Sequence, residues 1–288
     1  MAAAARAGGA PGSRPVGVFG IALACVLLTL FFLFMGFPYD RLGERLAAEL
    51  NRGDGTQLSF QELGPYVSLT GPGFEATGAR ITTADGIRLQ LDRARLRPAW
   101  SLAWLRLTPA VHLDLEGPPG RVIGVVTLGE ARGFEGRLEA IDLAQLPKNL
   151  VAPGAALAGT LDAVIDLHAA SPGPQGSISL SAREGSLGAP DLLPMAVPFD
   201  ELSANLRLGD GAFVEVESFE TQSPLFSAQA SGTIATAPSF ANAPLDLQVE
   251  LQIDPSFRGA LRGAGIRISR DGKATFHIRG TPTKPVVR

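Results

Sequence analysis

Few side chains in this sequence have the spacing that catalysis requires. Asp162 and Asp166 form an acidic pair of the kind used in acid–base chemistry, but they alternate with apolar residues, which predicts the wet face of a strand. The histidines, His112, His168 and His277, lie in three separate strand-like segments, so they form no cluster with metal-ligand spacing. The sequence contains neither a nucleophile elbow G-x-S-x-G nor a phosphate-binding G-x-x-x-x-G-K-[ST] loop. We therefore expect no enzymatic activity, no cofactor and no metal.

The charge of the sequence argues against nucleic acid as a partner. With 25 Lys and Arg against 28 Asp and Glu, the formal net charge is −3, and no basic patch is evident. The glycine-rich fragment Gly71-Pro72-Gly73-Phe74 precedes no helical pattern, so it predicts a turn and not a phosphate cradle. The single cysteine, Cys25, excludes an intramolecular disulfide.

An apolar stretch from Val16 to Phe37 predicts a membrane-spanning helix. It carries no charge along its 22 positions. At 1.5 Å per residue it reaches roughly 33 Å, enough to cross a hydrocarbon core of about 30 Å. Arg6 and Arg14 are the only charges before it, so the positive-inside rule puts the N-terminus in the cytoplasm. We expect a cytoplasmic tail over 1–15, the span over 16–37, a juxtamembrane helix over 38–55 and an exported domain over 56–288.

Three other interpretations of this stretch are weaker. A cleaved signal peptide needs a shorter apolar region and a small-residue cleavage site, and residues 33–38 offer none. A lipoprotein signal at Cys25 would have leucine where Ala22 stands, and the residues after Cys25 are strongly apolar. A buried core helix would be shorter and would show a polar face. The pattern therefore favours an uncleaved anchor.

A short amphipathic helix is predicted after the anchor. Leu42, Leu46 and Leu50 follow one another at four-residue spacing, with Asp40 as a candidate N-cap and Gly53 as a candidate C-cap. The leucine stripe could lie on the membrane surface, or it could close the first end of the sheet that follows. We favour the second arrangement.

From Thr56 onward the apolar residues recur at every second position, which predicts β-strands. The 34 Gly and 22 Pro are spread along the chain, as is typical of many short strands joined by turns. Because no crossover helices are evident, we expect an all-β domain built on a long, curved, mainly antiparallel sheet, groove-like or partly closed. The apolar face of such a sheet can be hidden by curling, by a second sheet, or by a greasy ligand. The residues expected to line an apolar groove are Leu161, Ile165, Leu167, Ile178, Leu180, Leu247, Val249, Leu251 and Ile253.

Two tryptophans, Trp100 and Trp104, could share a face at either strand or helical spacing. Packing in the core is the ordinary role for such a pair. An anchor at the membrane interface is the alternative, because tryptophan is enriched there.

Several short motifs follow the anchor and the helix in a fixed order. They are GRLEAIDLAQLP over 136–147, G-x-x-L-x-G-x-L-x-x-x-I-x-L over 154–167, Gly176-Ser177-Ile178, and a closing G-T-P-x-x-P over 280–285. With these motifs the chain resembles the type II secretion system protein N (GspN) family. The closing pattern is shared with the wider AsmA-like group. The resemblance covers nearly the whole chain, although its motifs are short.

The resemblance implies a function without catalysis. It implies a single-pass protein of the bacterial inner membrane whose bulk is periplasmic and works with other type II secretion components. AsmA-like relatives resemble curved β-sheets with an apolar inner groove, so a lipid-handling role in envelope biogenesis is the alternative. The expected partners are inner-membrane lipids, secretion components and, in the alternative, a bound lipid.

Overall fold

A computed structural model describes most of the chain after residue 30. The described residues are 25, 26, 28, 29, 31–50, 57–83, 88–99, 109–129, 132–146, 156–171, 173–188, 196–209, 213–236, 242–255, 269, 271–281 and 284–287. For Leu42, Leu46 and Leu50 the backbone is described and the side chains lie outside the description. Half of the predicted span and both tryptophans, Trp100 and Trp104, also lie outside it.

Two helical segments meet near Pro38. Residues 31–35 are helical, and the turn that follows has the Gly36 amide donating to the Phe32 carbonyl at 2.8 Å. Glycine after the last helical residue, followed shortly by proline, is a common helix end. Helix α1 then runs over Tyr39–Leu50 with Asp40 in its first turn. Among the described residues, no helix has both the length and the apolar character needed to cross a bilayer.

Fifteen strands follow α1 in the described part of the chain. They are β1 (Gln57–Ser59), β2 (Glu62–Ser68), β3 (Gly71–Thr82), β4 (Arg88–Pro98), β5 (Ala110–Gly117), β6 (Gly120–Thr127), β7 (Gly133–Asp142), β8 (Ala156–His168), β9 (Gln175–Gly188), β10 (Val197–Leu208), β11 (Phe213–Gln222), β12 (Phe226–Ala235), β13 (Leu245–Ile253), β14 (Lys273–Thr281) and β15 (Lys284–Val287).

All fifteen strands belong to one antiparallel sheet. From β3 to β15 each strand pairs with the next in sequence, which is a meander without crossovers. β1 and β2 both pair with β3, β1 along 80–82 and β2 along 71–77, so together they form the first edge. The expectation of an all-β, mainly antiparallel sheet is therefore confirmed. Short connections suffice for such a sheet because antiparallel neighbours reverse direction at each turn.

Two irregularities bend the long central strands. Ala140 has φ 51°, and the pairing of β7 with β8 shifts between Leu138 and Ile141. The Asp162 carboxylate accepts the Ala140 amide at 3.0 Å, so it satisfies a group that the ladder leaves unpaired. Glu184 has φ 49° near a second shift, between β8 and β9. Asp162, predicted as a merely solvated carboxylate, thus has a structural role.

The structure corrects one local prediction. Gly71-Pro72-Gly73-Phe74 does not form a turn, because it begins strand β3 and the turn is at Leu69 and Thr70. Pro72 is tolerated there because pairing of β3 with β4 starts only at Phe74, so Pro72 faces β2 alone. After β7 the chain forms a 3-10 turn, Leu143–Gln145, which is capped by the Asp142 side chain.

Gly176 is expected to be indispensable to the β8–β9 pair. It has φ +144°, and a Cβ there would collide with the backbone carbonyl of Asp166. We expect Gly176→Ala to lower the free energy of unfolding by roughly 1–3 kcal/mol, because strain and collision add. Thermal unfolding of the detergent-solubilised chain, followed by far-UV circular dichroism, measures the change. Gly64→Ala is the matched control, since nothing lies within 4 Å of its added Cβ. Equal melting of the two variants would contradict the prediction.

Candidate functional site

The candidate site is one face of the sheet, which we call the apolar face. Directly paired residues on antiparallel strands present their side chains to the same face, so the pairs trace rows across the sheet. Two neighbouring rows, from β2 to β14, contain only apolar residues. The first is Pro65, Phe74, Leu96, Leu113, Gly124, Gly136, Ile165, Ile178, Leu206, Val216, Gly232, Leu247 and Ile278, and the second is Leu63, Ala76, Ala94, Leu115, Val122, Leu138, Ala163, Leu180, Ala204, Phe219, Ala230, Val249 and Phe276.

All nine residues predicted to line a groove lie on the apolar face. Five of them belong to the two rows: Ile165, Ile178, Leu180, Leu247 and Val249. The other four pair with apolar residues in the rows alongside: Leu161 with Ile141, Leu167 with Phe134, Leu251 with Ala274 and Ile253 with Phe226. The structure thus brings together residues that are as much as 92 positions apart in the sequence.

The apolar face is incompletely covered. Val249 and Ile253 are buried, at 8% and 1% exposure, while the other seven predicted groove residues are only half-buried. Within the described ranges, Ile253 is the one large side chain with less than 2% of its surface exposed. A packed core buries many such side chains almost completely. The described strands therefore present a long apolar surface and not a filled core.

The dimensions of the apolar face suit an elongated ligand or partner. Neighbouring strands lie about 4.8 Å apart, so thirteen strands extend on the order of 60 Å across the sheet. Each square ångström of apolar surface removed from water contributes roughly 25 cal/mol. Removing this face from water is therefore favourable, and it requires no charged or catalytic residue.

Helix α1 covers the first end of the apolar face. A Cβ added to buried Gly43 would lie 2.5 Å from Cε2 of Phe60 and 3.4 Å from Cδ2 of Leu63, so the helix backbone lies directly on these side chains. A cluster of buried residues at the same end is formed by Ala79, Leu91 and Ala94, with Phe60 packed against it. The arrangement of the leucine stripe of α1 remains a prediction.

Four aromatic rings join the segment before α1 to the sheet. The Tyr39 ring centroid lies 5.8 Å from that of Phe34, 5.4 Å from Phe37 and 5.8 Å from Phe74. Phe34 also contacts Phe74, at 6.2 Å. The Tyr39 hydroxyl donates to the Phe34 carbonyl, and burial raises the pKa of this hydroxyl, so it stays protonated. Edge-to-face pairs of this kind hold rings in fixed relative positions.

The opposite face of the sheet is polar and carries ion pairs. Glu75 on β3 accepts from Arg95 on β4, whose guanidinium also lies 4.6 Å from the centre of the Tyr66 ring. Arg121 donates to both oxygens of Asp114, at 2.8 and 2.7 Å. This bidentate bond lowers the pKa of Asp114 and raises that of Arg121. Because charged side chains are strongly hydrated, this opposite face, which we call the polar face, is suited to contact with water.

A shallow apolar cavity of about 310 Å³ lies on the apolar face where β6–β7 and β8–β9 are joined. Its lining includes Val126, Leu128, Phe134 and Leu167, together with Arg132 and His168. Across the described residues, no three His, Cys, Asp or Glu side chains lie close enough to hold a metal ion. The chemistry available at the site is therefore apolar burial.

The sequence pattern predicts the apolar face, but it does not predict the aromatic contacts at the first end of that face. Alternation alone assigns Leu247 and Ile165 to one side of their strands, as the structure has them. The aromatic group around Tyr39 had no usable signal, because Phe74 belongs to the fragment that predicted a turn. The Glu75–Arg95 and Asp114–Arg121 pairs likewise depend on strand register, which periodicity does not specify.

His112 is expected to make the fold sensitive to mild acid. Burial, followed by the nearby Arg97 charge, lowers its pKa below the ordinary 6.5, and Asp114 opposes this only in part. The unfolded chain therefore binds a proton that the folded chain resists, so stability falls as the pH drops below about 6.5. We expect the melting temperature of the His112→Gln variant to fall less than that of the wild type between neutral pH and pH 5. An equal dependence of melting temperature on pH in the variant and the wild type would contradict this. Mildly alkaline buffer provides the internal control, because there the two proteins should give the same melting curve.

No protein-family model matches the sequence, and no curated protein or solved structure matches it either. The resemblance of the motifs to the type II secretion N family therefore stays a prediction.

Proposed function

We propose that this protein is a non-enzymatic, single-pass inner-membrane subunit of the bacterial type II secretion system, with its N-terminus in the cytoplasm and its sheet in the periplasm. The observation that supports the proposal best is a single antiparallel sheet of the described strands from Gln57 to Val287, a meander from β3 onward, which follows an apolar N-terminal stretch and helix α1. This is the order of parts that the sequence motifs imply. The proposed role is assembly or scaffolding during export of folded proteins across the outer membrane.

A scaffold role fits the two faces of the sheet. The polar face presents ion-paired side chains such as Arg121 and Asp114. Such side chains suit contact with the polar surface of another protein. The N-terminal span would keep the sheet beside the membrane components of the secretion machine.

A deletion strain tests the secretion role. We expect secreted proteins to accumulate in the periplasm without the gene, and the full chain to restore their export. Affinity capture of the tagged full chain from gently solubilised membranes should recover secretion components. A chain carrying the same tag after residues 1–55 alone is the matched control, because it retains the anchor without the sheet. Normal export in the deletion strain, with no secretion component captured, would contradict the proposal.

Lipid handling is the second candidate, and the incomplete covering of the apolar face favours it. A continuous aliphatic row such as Ile165, Ile178 and Leu206 offers acyl chains a surface shielded from water on one side. In this role the curved sheet would act as a groove for lipids of the inner membrane. The protein would then bind a lipid and not only a partner protein.

Neighbouring residues on β8 provide a matched pair of variants. Ile165 is half-buried on the apolar face, whereas Val164 is 62% exposed on the polar face. We expect Ile165→Asp to abolish co-purification of lipid with the full chain, measured by native mass spectrometry, because a carboxylate repels acyl chains. Val164→Asp should leave bound lipid unchanged.

Circular dichroism establishes whether the Ile165→Asp variant folds. Ile165→Thr, which preserves β-branching, should lower bound lipid without loss of the sheet. The lipid-handling role would be contradicted if no lipid co-purified with the wild-type protein. It would also be contradicted if Ile165→Asp and Val164→Asp lost equal amounts of bound lipid.

A further inference from the structure

The two long edges of the sheet differ in how they present apolar side chains. We call proximal the edge that contains the connections β2–β3, β4–β5, β6–β7 and β8–β9, and distal the edge that contains β3–β4, β5–β6, β7–β8 and β9–β10. Five large apolar residues of the apolar face or its turns are exposed among the described residues. Val67, Leu69, Leu96 and Leu128 lie at the proximal edge, and Leu187 lies at the distal edge.

The exposed proximal residues are held in ordered backbone. Leu69 is fully exposed at the tip of the β2–β3 turn. The Ser68 hydroxyl donates to the Gly71 carbonyl at 3.0 Å and lies 2.9 Å from the Thr70 hydroxyl oxygen, which ties the turn together. Leu128 is fixed by its amide, which donates to the Pro109 carbonyl at 2.8 Å. The fold therefore holds these leucines in exposed positions. This is unusual, because turns are usually formed by glycine, proline and polar residues.

The proximal edge is also where the apolar N-terminal stretch meets the sheet. Phe34 and Tyr39 contact Phe74, which lies in the row of Leu96, only a few residues from the β2–β3 turn. From there α1 continues to Gly43, which lies against Phe60 and Leu63, so it runs away from the proximal edge. The end of the predicted span and the exposed leucines thus lie on the same side of the sheet.

We infer that the proximal edge rests on the bilayer that holds the N-terminal span, with Leu69 and Leu128 in the boundary between lipid headgroups and acyl chains. The inference rests on the proposed anchor and adds an orientation to it. Leucine and aromatic side chains are typical of surfaces that lie in this boundary. The apolar cavity beside Leu128 and Phe134 opens at the same edge, so it would adjoin the acyl chains. The distal edge, with Leu187, faces away from the membrane.

Site-directed fluorescence tests this orientation in the intact protein. The native Cys25 is replaced by Ala, and one cysteine is introduced at Leu69, Leu128 or Leu187. Each full-length variant is labelled with an environment-sensitive dye in nanodiscs of phosphatidylethanolamine and phosphatidylglycerol, with or without lipids that carry a nitroxide quencher near the headgroup. Leu187→Cys is the matched control, because it probes an exposed leucine at the distal edge.

We expect the dyes at positions 69 and 128 to show a blue shift and to lose intensity when the quencher lipid is present. The dye at 187 should show neither change. Dyes at 69 and 128 that emit as in water, or a stronger quenching at 187, would overturn the inference. A blue shift without lipid quenching would also overturn it, because the leucines would then contact protein, such as a second copy of the chain. Failure of every variant to enter nanodiscs would overturn the anchor itself, which is a different result from a wrong orientation.

Discussion

Shielding one face of a single sheet from water is the constraint on which this structure depends. Every strand from β2 to β14 contributes apolar side chains to the same face, and antiparallel pairing keeps them there from strand to strand. A slip of one residue in any pair would turn a strand's aliphatic residues towards water. The bulges near Ala140 and Glu184 are compatible with this constraint, since the rows continue on the same face beyond them.

Ordinary domains meet this constraint by packing a second layer on the first. Here α1 covers the first end, where Gly43 allows the helix to approach Phe60 closely. Further along, residues such as Ile165 and Leu180 remain half-buried. An apolar surface of this extent is a typical mark of binding to lipid or to another protein.

The aromatic group around Tyr39 makes the two long edges of the sheet different. It joins the end of the predicted span to Phe74 on β3, so ring contacts hold this segment against the sheet. Edge-to-face contacts and the Tyr39 hydrogen bond restrict the angle between them. With the proposed anchor, a flexible linker would leave the proximal and distal edges of the sheet equivalent with respect to the membrane, and this group would make them different.

The sequence by itself determined the fold class, because a two-residue period such as that from Leu245 to Ile253 is a local property of the chain. It also determined which side chains share a face within a strand. Only the tertiary structure decided that β1 and β2 share β3, that Gly71 to Phe74 is strand, and that Asp162 caps a bulge, since these depend on which strands meet and in what register. Likewise, Phe34, Tyr39 and Phe74 form one contact only after the sheet exists. Local periodicity reports the face of a residue, and pairing across the sheet reports its neighbours.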